Sequence, residues 1–388
     1  MKKSLLVLVS LMLIASFVLA ACGTAAPAEK KVVTFWHAYG TGSAEEIALT
    51  KVLEQAKTDL PGYDIQVLQV PFNDVFNKYA TDVAAGGGPD MFIAPNDNLG
   101  DQARNGLIAD ITELAKGKLD KYSKLGVEGM TLDGKLYGIP ETMKAVVMWY
   151  NKDLIPAAPK TTDELKALME GGTPVSLSYG CYHHYGFFGA FGGKVFDDSW
   201  KVVADQGGVA DAMAYLNDLY QISKTNGWPK NDGDGLAPFK EGKMAIITNG
   251  NWAMGDYKAA LGDKLGVAPL PAGPAGAATP FFGVDGFYFN PNSQNKEAAL
   301  EVALYLTGAS AQTIMMNEAG HVPVHADVKV SDPLIQGLLD AFNSGVTFRP
   351  QVAELGKYWS NFCGTDEVFE KGTPAADWVK TATENANK

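Results

Sequence analysis

Val32-Val33-Thr34-Phe35-Trp36 opens the stretch, residues 32–94, from which the fold class is read. This β-branched and aromatic run is a strand. Gly40-Thr41-Gly42 then turns the chain, and Ser43 with Glu46 three residues on forms a capping box, which predicts a helix to about Asp59. Pro61-Gly62 ends that helix, and Ile65-Gln66-Val67-Leu68-Gln69-Val70 is a second strand. Phe72, Phe76, Tyr79 and Val83 recur at three- and four-residue spacing, which is one helix face, closed by Gly86-Gly87-Gly88-Pro89. Met91-Phe92-Ile93-Ala94 follows as a short buried strand. Strand, helix, strand, helix, strand is a parallel α/β pattern.

The rest of the chain continues the alternation. Leu136-Tyr137-Gly138-Ile139-Pro140 precedes a strong strand, Val146-Val147-Met148-Trp149-Tyr150. Thr161 with Glu164 is another capping box. Residues 175–200 are rich in aromatic residues and glycine, and a helix over about 207–225 carries Met213, Leu216 and Tyr220. Met244 to Thr248 and Phe287-Tyr288-Phe289 read as strands, Glu297 to Thr307 as an amphipathic helix, and the chain from Asp332 as mostly helical. Asp232-Gly233-Asp234-Gly235 reads as a turn before a helix, because Leu236 takes the next ligand position of a calcium loop. No internal repeat is found. At 388 residues the chain calls for two or three domains.

Composition narrows the function. The net charge is −12, with no Lys/Arg block, so the electrostatic footprint of a nucleic-acid binder is missing. Met1-Lys2-Lys3 followed by the uncharged apolar run Leu5 to Ala21 reads as an export signal, residues 1–21. Its end, Leu19-Ala20-Ala21-Cys22-Gly23, has the form of a bacterial lipobox, which makes Cys22 the lipidated first residue of the mature chain. Residues 22–31 are small and polar and read as a tether. Membrane contact is thus expected through the lipid anchor alone, on the outer face of the cytoplasmic membrane. Cys181 and Cys363 remain, outside the reducing cytosol; they are either a disulfide or two buried thiols.

The motifs of common exported hydrolases are missing. There is no G-x-S-x-G, H-E-x-x-H or C-x-x-C, and no nucleotide-binding glycine motif, since Gly88 is followed by Pro89-Asp90. The adjacent His183-His184 do not share a strand face, so no metal pair is expected. No catalytic residue, cofactor or metal is assigned.

Four stretches, in order, carry a family resemblance. They are Gly88-Pro-Asp-Met-Phe-Ile-Ala-Pro-Asn-Asp97 with Gly106 to Asp110; Asp133-Gly-Lys-Leu-Tyr-Gly-Ile-Pro140 with Trp149 to Pro156; Phe239-Lys-Glu-Gly-Lys-Met-Ala-Ile-Ile-Thr-Asn-Gly-Asn-Trp252; and Gly266-Val-Ala-Pro-Leu-Pro271 with Asn295-Lys-Glu297. Together they resemble the extracellular solute-binding proteins (family 1) of sugar ABC transporters, in the maltose/maltodextrin-binding pattern. The resemblance implies a two-lobed periplasmic-binding-protein fold (type II), each lobe a mixed sheet flanked by helices, with a hinge between them. One lobe would be 32–142 plus 286–331, and the other 147–281 plus 336–388. It implies a monomeric, non-enzymatic receptor that closes on a sugar and delivers it to permease subunits. A receptor for another polar solute such as a polyamine, or an exported carbohydrate-active enzyme, is the alternative.

A sugar site needs aromatic plates and planar polar groups. By the resemblance, Trp252 is the stacking tryptophan and Asp97 accepts sugar hydroxyls; neither is expected to be core. His37 and Tyr39 follow the first strand where family loops touch ligand, and Tyr182 and His183 lie in the segment matching a sugar-binding loop. Glu141, Lys144, Asp285 and Trp359 complete the candidates. The family's cleft tryptophan before Asp97 is Ala94 here, its glutamate after Tyr-Gly-Ile-Pro is Lys144, and Trp359 falls about one helical turn late.

Overall fold

The computed structural model describes residues 30–388; the export segment and Cys22 lie outside the described residues. Its strands are β1 (Lys31–His37), β2 (Tyr63–Gln69), β3 (Met91–Pro95), β4 (Thr131–Leu132), β5 (Lys135–Leu136), β6 (Gly138–Asn151), β7 (Val175–Ser176), β8 (Ile246–Gly250), β9 (Leu265–Ala268), β10 (Phe281–Phe289), β11 (Val322–Pro323) and β12 (Thr347–Phe348). β1 runs parallel to both β2 and β3, with helices Ala44–Asp59 and Phe72–Ala84 as the crossovers. The capping box forms: Ser43 Oγ accepts from the Glu46 N–H at 3.2 Å, and Glu46 Oε2 accepts from the Gly42 N–H.

β10 changes the sheet from parallel to mixed. It lies antiparallel to β3 on one side and to β6 on the other. β6 then pairs antiparallel with β8 and β9, and β7 lies parallel to β8. The order is β2-β1-β3-β10-β6-β8-β7. The fourteen-residue β6 gives its first half to β10 and its second half to β8 and β9, so one strand threads both lobes. Apolar residues collect on either side of this crossing. Phe35, Tyr79, Phe92 and Phe287 belong to one core; Leu165, Met213, Tyr185, Phe281 and Tyr358 belong to the other.

Several elements differ from the sequence reading. β6 is continuous where polar Glu141, Thr142 and Lys144 break the apolar pattern, because those side chains find partners inside the protein. β10 starts at Phe281 rather than Phe287, and β8 sits at Ile246–Gly250, two residues later than read. The aromatic segment holds the helix Cys181–Ala190, which is buried on most sides and so lacks an amphipathic period. Asp232 to Gly235 are the first turn of helix Asp232–Lys240, capped by Asn231, whose Oδ1 accepts from the Asp234 N–H at 2.7 Å. Cys181 is bonded to Cys363, 182 residues away, tying that aromatic helix to the end of helix Leu355–Phe362. Among the described residues no helix is long and apolar enough to cross a membrane.

Candidate functional site

The same short turn is built twice, once in each lobe. Asn96-Asp97-Asn98-Leu99-Gly100-Asp101 follows β3, and Asn251-Trp252-Ala253-Met254-Gly255-Asp256 follows β8. Each begins as a single 3₁₀ turn and continues into a helix. Both leading asparagines are buried and clamp a crossing strand. Asn96 Nδ2 donates to the Gly129 carbonyl at 2.9 Å, and its Oδ1 accepts from the Val284 N–H at 3.2 Å. Asn251 Oδ1 accepts from the Ala145 N–H, and its Nδ2 donates to the Met143 carbonyl, both at 3.1 Å. The two turns match at Asn, Gly and Asp, three of six positions, 155 residues apart and with no repeat around them.

Between the two turns lies a cavity of about 600 Å³. The second lobe lines it with Tyr182, His183, Trp252 and Trp359. The indole of Trp252 folds back over Gly250, where a Cβ would fall 2.0 Å from the ring. It sits 6.1 Å from the Tyr182 ring and 6.3 Å from His183. Asp97, from the first lobe, pairs with the guanidinium of Arg349. Arg349 Nη2 also donates to the Tyr182 hydroxyl at 3.0 Å, so this arginine links the two walls. Gly283 makes room for it: a Cβ there would meet Nη2 at 3.0 Å. Burial pushes the Arg349 pKa down, which makes the carboxylate beside it a required counter-ion.

A chain of alternating charges closes the deep end. Lys144 Nζ lies 2.7 Å from Asp285 and 2.8 Å from Glu45. The same Glu45 oxygen is 2.9 Å from His321 Nε2, whose Nδ1 is 2.8 Å from Glu141. Register explains the geometry. Asp285 pairs with Thr142 and Gly283 with Lys144, so Asp285 and Lys144 are diagonal neighbours on one face. Gly286 pairs with Pro140, which leaves Glu141 as the extra residue of a β-bulge. Burial alone would lower His321, but Glu141 and Glu45 win and raise it to about 9. Burial would raise Glu45, but Lys144 and His321 hold it at about 2.

Of the ten candidates, Tyr39, Asp97, Lys144, Tyr182, His183, Trp252, Asp285 and Trp359 line the cavity. His37 and Glu141 do not. His37 points from β1 into the first core beside the Phe35 and Tyr39 rings, and is 4% exposed. Glu141 is turned by the bulge to His321 and is 2% exposed. Lys144 and Asp285 line the floor but bond to each other. Trp359 reaches the cavity because its helix packs on Phe281, at a ring distance of 5.7 Å. Sequence reasoning missed Glu45, Asp232, Arg349 and Phe72, all of which line the cavity. Glu45 and Asp232 were hidden in helix starts, where acidic residues are ordinary. Arg349 carries no local signal, and the spacing of Phe72 with Phe76, Tyr79 and Val83 points to the core instead.

The family described as bacterial extracellular solute-binding protein matches residues 51–337. The chain belongs to this family. Among curated relatives of this solute-binding protein is the maltotriose-binding protein of Pyrococcus abyssi, 29% identical, with 89% of this chain and 79% of that one aligned. A maltooligosaccharide ABC transporter solute-binding lipoprotein of Streptococcus pneumoniae is 27% identical over 73% of this chain and 72% of its own. The solved Thermus thermophilus maltotriose-binding protein, bound with maltotriose, superposes with a TM-score of 0.82 at 26% identity, covering 92% of this chain and 99% of that one. The two-lobed, mixed-sheet architecture is therefore that of the maltose-binding type, and the family's activity is binding, not turnover.

Proposed function

We propose that this protein is the receptor of an ABC importer and takes a neutral saccharide, maltotriose-like in chemistry, into the interlobe cavity. The observation that carries this reading is the wall of Tyr182, Trp252 and Trp359 facing polar groups across about 600 Å³. Flat rings suit the C–H faces of a pyranose, and carboxylate and guanidinium groups suit its hydroxyls. The state of the charges favours a neutral ligand over a polyamine. Of the carboxylates lining the cavity, Glu45, Asp97 and Asp285 already face Lys144 or Arg349, which leaves Asp232 without a Lys or Arg partner, where a dication wants several carboxylates. Thermal shift against a panel of sugars and polyamines tests the proposal. A ligand at 100 times its Kd adds about 2.7 kcal/mol to stability, and the expected hits are gluco-oligosaccharides. A panel in which only polyamines shift the transition would sink it.

The lobes, 32–142 with 286–331 and 147–281 with 336–388, close about the crossing of β6 and β10. Hinge closure of this kind is established for periplasmic binding proteins. The receptor acts as a monomer, docks on the permease subunits when closed, and is held to the membrane by lipid on Cys22. The lipoprotein among its relatives supports the anchor. The Cys22→Ser protein is expected in the soluble fraction of cells; membrane retention of that variant would refute the anchor.

A further inference from the structure

We infer that Phe72 is an outer stacking plate of the cleft and makes the site selective for saccharides of three or more units. This rests on the sugar-binding reading above. Phe72 is the first residue of helix Phe72–Ala84, directly after Pro71. On the same helix Val75, Tyr79 and Val83 are buried, as a core face should be, while Phe72 is 49% exposed. The sequence periodicity assigns it to that core face; the structure turns it toward the cavity, which it lines. Its ring is not loose. It meets Phe76 edge-on at 6.0 Å, and Phe76 meets the core residue Phe92 edge-on at 6.4 Å. A half-exposed ring fixed in orientation by a second ring is a preorganised surface, so a ligand that stacks on it gives up little side-chain freedom.

The rest of the first-lobe wall shows what such a plate supplies. Ala38, Ile93, Ala94 and Pro95 are small or aliphatic. Tyr39 is the other aromatic there, and it is 6% exposed at the charged floor, 5.8 Å from Lys144. An inner sugar unit thus lies between Tyr39 and the Trp252 wall. Phe72 stands at the rim, where a short ligand does not reach. Each further unit extends toward solvent, and the first to arrive at the rim meets Phe72.

The test is calorimetry of the mature chain with maltose, maltotriose and maltotetraose, using wild type, Phe72→Ala, Phe72→Leu and Phe72→Trp. Phe72→Ala and Phe72→Leu are expected to weaken maltotriose and maltotetraose roughly tenfold, the range of one lost stacking partner. Maltose should change less than about twofold, and Phe72→Trp should restore the long ligands. Equal losses across the series would mean that Phe72 acts through the fold or closure, and unchanged maltotetraose binding would remove it from the site; either overturns the inference while leaving sugar binding intact. Failure of wild type to bind any of the three refutes the maltotriose-like reading itself, and the subsite falls with it.

Discussion

Replacing Lys144 by methionine is expected to lower the unfolding free energy by about 3–5 kcal/mol, the penalty for stranding a buried charge. Lys144 is 11% exposed and lies between two carboxylates, Asp285 at 3% and Glu45 at 12%. Methionine keeps much of the volume and removes the cation, which leaves like charges facing each other in a poorly solvated floor. Urea denaturation at neutral pH measures the effect, and a change under about 1 kcal/mol would show that the pair behaves as a surface ion pair. The same cluster sets a pH signature. His321 is raised from 6.5 to about 9, so its contribution is complete below pH 6.5 and lost as pH rises through 9. Glu45 is lowered from 4.5 to about 2, so its contribution is complete above pH 4.5 and lost as pH falls through 2. The cluster is thus strongest between those limits, and the alkaline limb spans about 3 kcal/mol. His321→Gln should be less stable near pH 6 and should lack that limb; a wild-type slope in the variant would contradict the assignment.

Trp252→Ala is expected to weaken saccharide binding by about 1–3 kcal/mol, roughly 5- to 150-fold, with melting still cooperative. The ring lines the cavity, is partly exposed and lies over Gly250, and the rest of it packs on the edge of both apolar cores rather than inside either. Its removal opens the aromatic wall without uncovering the Asn251 clamp, which is made by the neighbouring residue. Wild-type affinity in calorimetry would show the plate misassigned, and loss of the melting transition would show it to be core. Asp97 is expected to matter to the fold as well as to the ligand. Asp97→Ala leaves the Arg349 guanidinium, 2% exposed, without its counter-ion, so stability should fall along with binding.

The first three strands and their helices were legible because each rule there is local. β-branched runs, a capping box and a glycine break act within a few residues, and β1, β2 and β3 emerge where the sequence puts them. Placement at the candidate cavity was legible where a residue stands in a motif at a strand end, as for Asp97 and Trp252. It was not legible at Glu141 and Lys144. Both sit on β6 three residues apart and look alike as polar interruptions, yet Lys144 faces the cavity and Glu141 does not. The bulge opposite Asp285 and Gly286 separates them, and it exists only once β10 is paired.

The sequence by itself determined the α/β class, the export signature, the lack of common hydrolase motifs and the family. Each of these rests on composition, local periodicity or ordered motifs, all of which survive without coordinates. Only the tertiary structure decided which charges cancel, that Arg349 meets Asp97 across 252 positions of chain, that Cys181 bonds Cys363, and that Phe72 leaves its helix's core face for the cleft. These depend on distances of a few ångströms between segments far apart in the chain. Electrostatic pairing and ring stacking fall off over that same range, so the contacts that shape the ligand's surroundings are set by packing rather than by neighbours in sequence.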